Sequence, residues 1–470
     1  MSAPALPVRT LAEASQALAR RELSPLELTE TCLRRIEALE PRLNAFITVT
    51  AEQALAEARR AQEELARGEH RGPLHGIPVA VKDLFHTAGV RTTAGSKFLA
   101  QSVSREDATV VARLRQAGAV LVGKLNLHEF AFGATSVNPH YGSVRNPWDT
   151  ERIAGGSSGG SGAAVAAGEC LAALGTDTGG SIRIPSALCG ITGLKPTFGR
   201  VSTHGVIPLA WTLDCVGPMC RTAEDCALVL SVIAGPDSRD RAAARMPVPD
   251  YAAGLDGGVR GLRIGVPREH FFQGISEEVG AAVRRALEVL SELGAEVREV
   301  SLPHMDVVPT AAGAITLVEA LAYHLTWLRE RPQDYGQDVR LRLEMAALYP
   351  AVAYVQAQRV RAAVIEAWQR LWQEIDLLAT PTTPIVAPPL TEAELSATLA
   401  LIRNTNPFNV SGQPAISLPC GFDSSGLPIG LQLVGRWWDE GTLLRAAHAY
   451  QRATDWHLRL PPLGWDEGGA

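Results

Sequence analysis

The first sixty residues alternate apolar and polar positions with a helical period. Ser24, Pro25 and Glu27 combine an N-cap hydroxyl, a proline at the first helical position and a glutamate three residues after the cap. Leu28, Cys32, Leu33, Ile36 and Leu39 then mark one apolar face. A second helix is predicted over 51–66. Residues 77–81 change to a short β-type run, with Lys82 and Asp83 at its end. A helix–glycine–strand unit follows. Asp107 is placed to cap a helix reaching about Gln116, Gly118 helps to end it, and 119–122 read as a buried strand. The same grammar returns later, with a strand over 262–266, a helix over 277–293, Gly294 as its stop and a strand over 296–300. Residues 310–378 read as mostly helical, and the chain closes in strands and turns at 380–384, 414–419 and 428–434. Strands alternating with helices predict a layered α/β architecture.

Composition narrows the class. The 470 residues are 46% apolar and 20% charged, which excludes a disordered chain. The net charge of −6 leaves no electrostatic footprint for nucleic acid or for an anionic membrane surface. The seven cysteines are odd in number and contain no CxxC, as in a reduced, intracellular protein. His128 and Glu129 are not followed by the second histidine of a zinc motif, so no metal and no cofactor is expected. No export signal is evident and no run of 18 uncharged apolar residues occurs. A soluble cytoplasmic enzyme is expected.

Length alone suggests about three domains. The polar, Gly- and Pro-rich stretch 235–261 is the candidate boundary. Motifs that must share one site nevertheless run from 82 to 181. One domain over 1–470 is therefore expected. Within it, 1–66 are N-terminal helices and 67–235 a catalytic core. Residues 262–378 form a βαβ and helical substrate-side region, and 379–470 strands and a helix that complete the core.

The chemistry centres on residues 155–162, Gly-Gly-Ser-Ser-Gly-Gly-Ser-Gly, and on Gly175-Thr-Asp-Thr-Gly-Gly-Ser-Ile-Arg-Ile-Pro185. A flexible linker would not sit between buried apolar runs. A phosphate cradle lacks the GxxxxGK[ST] and GxGxxG patterns. Acyl transfer fits better. A nucleophilic serine needs an exposed tight turn, with neighbouring N–H groups aimed at the developing oxyanion, and residues 178–181 supply consecutive N–H groups ending at a hydroxyl. The hydroxyl needs a base. Neither motif holds a histidine, although His128 and His204 remain available on sequence alone. The GxSxG elbow is absent. A lysine with a depressed pKa can serve instead, and Lys82 ends an apolar segment.

Residues 155–168 and 175–196 resemble the amidase signature family. Supporting segments lie around Lys82 (HGIPVAVKDL), at 122–133 (VGKLNLHEFAFG), 138–149, 411–421 (SGQPAISLPCG) and 426–435 (GLPIGLQLVG), while 270–375 carries little of the likeness. The resemblance implies an α/β/α layered domain with a central mixed β-sheet flanked by helices. It implies a Ser–cis-Ser–Lys triad: Ser181 as nucleophile, Ser157 after a cis peptide as relay, and Lys82 as base. The oxyanion would be held by the turn of Thr178, Gly179, Gly180 and Ser181. Ala131, Phe132 and Gly133 would line the acyl pocket. Trp211 and residues 380–383 would approach the cleft. Ser158 and Ser161 read as network hydroxyls, Asp177 and Arg183 as supporting groups beside the nucleophile, Cys189 as a buried thiol and His128 as structural. Trp327, Trp368 and Trp372 read as packing residues.

Two branches are weighed. A glutamine-reading A subunit of a tRNA-dependent amidotransferase would need a fixed carboxylate for the α-amino group, and residues 395–410 contain none. Ile402 stands at about that position, and Arg340 and Arg342 are both near the place of an α-carboxylate reader. A stand-alone amidase of small or aryl-acyl amides is therefore expected, with esters, anilides or carbamates as side substrates. It would act as a monomer or homodimer on a small-molecule amide, with no direct nucleic-acid or membrane partner. An inactive binding or scaffold protein is disfavoured, because all three triad positions are filled.

Overall fold

The computed structural model describes residues 3–393 and 395–463. Eleven strands enter one sheet: β1 (Phe46–Val49), β2 (Pro78–Lys82), β3 (Val120–Leu125), β4 (Ala172–Asp177), β5 (Thr192–Lys195), β6 (Cys215–Cys220), β7 (Arg263–Pro267), β8 (Glu296–Val300), β9 (Leu377–Pro381), β10 (Ala415–Phe422) and β11 (Pro428–Gly435). Their order is β1-β3-β2-β4-β6-β5-β10-β11-β9-β7-β8. β2 is parallel to β3 and β4, and β7 to β8 and β9, while the remaining pairs are antiparallel. The sheet is thus mixed, and fourteen α-helices among the described residues accompany it. β2, β3, β4, β10 and β11 are buried almost throughout, as continuous apolar strands covered on both faces must be.

The N-terminal expectations hold in atomic detail. In the helix Pro25–Leu43, Ser24 accepts from the Glu27 N–H, and the Glu27 carboxylate accepts from the Ser24 N–H. Leu28, Cys32, Ile36 and Leu39 are buried and Leu33 is half-buried. The second helix spans Ala51–Ala66. Asp107 is a correction. The helix Thr109–Gln116 starts after Ala108 with no side-chain cap, and the Asp107 carboxylate accepts from the Ala88 N–H instead.

The glycine-serine run divides in two. Its second half is helix, not turn: the helix Gly159–Ala166 begins inside it. Gly160 shows why glycine is used there. A Cβ on Gly160 would lie 2.4 Å from the Ala45 carbonyl oxygen and 2.5 Å from that of Asn126. The helix therefore lies directly against neighbouring backbone.

The 235–261 stretch is not a bare connection. Tyr251, Leu255 and Val259 are buried in the main apolar cluster, with β7 and the C-terminal helix Glu440–Ala453. The helix Val308–Glu330 has the length and hydropathy of a membrane span. One face of it is packed instead: Glu319 is buried and accepts from Thr212 and Tyr354.

Candidate active site

The site grows from the C-terminal ends of two parallel strands. Val81 on β2 is in register with Leu174 on β4, so Lys82 arrives beside the end of β4, where the chain turns into residues 178–181. Lys82 Nζ donates to Ser157 Oγ at 2.8 Å and to Thr176 Oγ1 at 2.8 Å. Lys82 is fully buried. Burial pushes its pKa down to about 7, although Asp214 and Asp177 act in the opposite direction. A neutral amine is thereby accessible near neutral pH.

Ser157 follows a cis peptide bond from Gly156. Its carbonyl accepts from the His128 N–H at 3.2 Å and from Ser136 Oγ at 3.3 Å. The next residue ties the two serine segments together, since the Ser158 N–H donates to the Ser181 carbonyl at 3.2 Å. Ser158 Oγ donates to the Thr176 carbonyl and Ser161 Oγ to that of Leu174.

Asp177 organises the turn that carries Ser181. Its carboxylate accepts from the N–H groups of Gly180 and Ile182, and from Arg183 through Nε and Nη2. Burial alone would raise its pKa, but the charge and hydrogen bonds of Arg183, with Lys195 and Asn409, hold the carboxyl well below the ordinary range. The Gly180 N–H is spent on Asp177, whereas the N–H groups of Gly179 and Ser181 donate to no acceptor among the described residues. Gly180 has φ +130°, and a Cβ there would lie 2.1 Å from Thr405 Oγ1, so only glycine fits. Asp214 accepts from Thr178 Oγ1 and from the Leu209 and Ala210 N–H groups. Burial outweighs these bonds and pushes its pKa up to about 6.

A cavity of about 360 Å³ opens onto Ser181. Ala131, Phe132, Gly133, Thr178 and Gly179 stand in its wall, and so does Arg342. Arg340 points away and pairs with Glu344 on the surface. Ile402 also lines the cavity, and no Asp or Glu does among the described residues. Trp211 and residues 380–383 do not line it. Trp211 is exposed, while Thr380 and Thr382 are buried in the sheet, bonded to Gln432 and Ser417. Thr380 stands opposite Gln432 where β9 pairs with β11. His204 lies in a separate polar cleft with His86 and Asp107. Cys189 is fully buried, with its thiol pushed up by burial. Trp368 and Trp372 sit in an apolar cluster, and Trp327 stacks on Phe98.

Several site residues escape sequence reasoning. Thr176 shares the Lys82 ammonium with Ser157. Asn409 and Gln432 complete the Arg183 bonds, with Thr405 accepting through its carbonyl. Asn406 lines the cavity, and its Oδ1 has no partner among the described residues. The one available signal was the polar cluster 404–406 and 409 beside an otherwise apolar strand motif.

A sheet of this order with a buried lysine–serine pair at its strand ends defines a class, and the comparisons agree. The Amidase family model matches residues 27–444, and the chain belongs to this family of enzymes acting on amide C–N bonds. It is 49% identical to the glutamyl-tRNA(Gln) amidotransferase A subunit of Roseiflexus sp. (strain RS-1), over 97% of this chain and 98% of that one. A solved structure of such an A subunit, from Thermotoga maritima, shares 35% identity over 97% of each chain, with a TM-score of 0.84. A further structure is 40% identical, covering 94% of this chain and 98% of the other, with a TM-score of 0.90. It is described as an inhibitor-bound vestigial protein complex that reveals the evolutionary origins of an s-triazine catabolic enzyme.

These findings correct two expectations. The stand-alone amidase of small or aryl-acyl amides is overturned, because the 49% relative, matched nearly end to end, bears the name of an amidotransferase A subunit. The expectation of a monomer or homodimer acting on a small-molecule amide with no direct nucleic-acid partner is overturned for the same reason: that relative is named as a subunit of a glutamyl-tRNA(Gln) amidotransferase, and a 40% identical neighbour is described as a complex. Ile402 leaves the cavity wall without a carboxylate at that position, while Arg342 brings a buried cation to it.

Proposed function

We propose that this chain is the amide-hydrolysing A subunit of a tRNA-dependent amidotransferase, releasing ammonia from the carboxamide of glutamine for a partner subunit. The 49% identity across nearly the whole of both chains carries the reading. The cavity supports it: Arg342 is a cation suited to the α-carboxylate, and Asn406 offers an uncharged acceptor to the amino group. Such a reaction belongs in the cytoplasm, in keeping with seven free, buried cysteines.

The cycle begins with neutral Lys82, which takes a proton from Ser157 as Ser157 takes one from Ser181. Ser181 Oγ then attacks the carboxamide carbon. The unspent N–H groups of Gly179 and Ser181 receive the oxyanion. The proton returns through Ser157 to the leaving nitrogen, ammonia departs, and water hydrolyses the acyl-enzyme to glutamate. Ala131, Phe132 and Gly133 form the wall against which the acyl chain lies. Asp177 and Arg183 hold the turn, with Ser158 bridging the two serine segments.

The test measures ammonia release from glutamine by the chain purified with its partner subunits. A fluorophosphonate probe should label Ser181 and spare Cys189, and Ser181→Ala should abolish both release and labelling. Release undiminished in Ser181→Ala, or no release from glutamine in the assembled complex, would overturn the reading.

A further inference from the structure

The sequence left His128 open as a base until the family resemblance made it structural, and did not single out Asp338 at all. The structure links both to the cavity. His128 Nε2 and Asp338 Oδ2 are 2.7 Å apart, and Thr135 Oγ1 lies 3.3 Å from His128 Nδ1. Asp338 Oδ2 is in turn 3.4 Å from Arg342 Nη1, one helical turn along Gln337–Ala346. The same Nη1 donates to the Phe132 carbonyl. One corner of the guanidinium is thus anchored twice, while its Nε and Nη2 donate to no described residue. Those two nitrogens form the edge of the fork that grips a carboxylate in bidentate fashion. Arg342 itself is buried in the cavity wall.

We infer that Asp338, held in place by His128, is a positioning residue. It anchors the Nη1 corner of Arg342 so that the free Nε–Nη2 edge faces the substrate's carboxylate. The inference rests on the proposed glutamine reading. It adds how the pocket's cation is aimed. An arginine carries several rotatable bonds, and fixing it before the ligand arrives removes an ordering cost from binding. Asp338 touches neither the reacting carbon nor the serines, so its contribution belongs in KM and not in kcat.

The experiment uses the complex with its partner subunits. Kinetics are measured for glutamine and for butyramide, which has no carboxylate, with wild type, Asp338→Asn, Arg342→Ala and the double variant. Asp338→Asn is expected to raise the glutamine KM about tenfold, with kcat changed less than twofold and butyramide hydrolysis unaltered. In the Arg342→Ala background, adding Asp338→Asn is expected to change nothing further, the signature of two residues acting as one unit. An equal loss of kcat on both amides, an unmoved KM, or additive effects in the double variant would overturn the inference. An Arg342→Ala variant with an unchanged glutamine KM would instead overturn the carboxylate reading itself, and this inference with it. If Asp338→Asn does not fold, His128→Asn is judged by the same criteria, since it removes the ring that holds Asp338.

Discussion

Lys82 Nζ stands 2.8 Å from Ser157 Oγ, with both side chains shut away from solvent. In the proposed cycle Lys82 must lose its proton before it can act. Its pKa, pushed down to about 7 by burial, sets where that happens. Protonated Lys82 dominates below pH 7 and the neutral base above it. We therefore expect kcat/KM for amide hydrolysis to rise about tenfold per pH unit in acid and to level off above neutrality, with about a tenth of the plateau remaining one unit below the pKa. A pH–rate profile checks this. A midpoint near the ordinary lysine value would remove Lys82 from the role.

Arg183 and Asp177 are both fully buried, 2.8 Å apart between Nη2 and Oδ1. Arg183→Met leaves a carboxylate buried without its counter-charge. We expect a loss of about 3–5 kcal/mol of stability, read by urea unfolding at pH 7. Because the folded Asp177 pKa is depressed, its stabilisation is fully present above the unfolded value of about 3.9 and is lost as pH falls through the folded one. The gap between wild type and variant should therefore narrow in acid.

Gly160→Ala reverses a common rule. In an open helix the change is favourable by about 1 kcal/mol. Here the new methyl would meet two carbonyl oxygens at 2.4 and 2.5 Å, both backbone and neither free to rotate away. We expect net destabilisation of about 1–3 kcal/mol, seen as a lowered Tm.

Ile402→Asp places a carboxylate in a cavity wall that has none among the described residues. A charge-assisted hydrogen bond is worth about 1.5–3 kcal/mol, less the cost of burying the new charge. The glutamine KM is expected to fall about tenfold, while butyramide gains nothing. Equal effects on the two amides would mean that residue 402 does not face the amino group.

The sequence pattern carried much of the fold because its signals are local. The Ser24–Glu27 cap, the helical face of Leu28, Cys32, Ile36 and Leu39, and the buried run ending at Lys82 each depend on neighbours a few residues away. Strand order is different. β5 lies beside β10 across more than two hundred residues, and no periodicity announces that. The site divides the same way. Lys82 and Ser157 each lie in a motif legible in the sequence, whereas Asn409 and Gln432 reach Arg183 only through the folded sheet. Asp107 misled because a side chain that can cap a helix can equally bind another loop, and the Ala88 N–H won.

Arg183 has a consequence in time as well as in space. Three of its partners, Thr405, Asn409 and Gln432, belong to the last fifth of the chain, and β5 waits for β10 to pair along its second edge. A ribosome that has already made Lys82, Ser157 and Ser181 has not yet made the groups that lock the turn around them. The nascent protein therefore carries all three residues of the proposed triad for most of its synthesis, yet lacks the frame to use them until β11 has emerged.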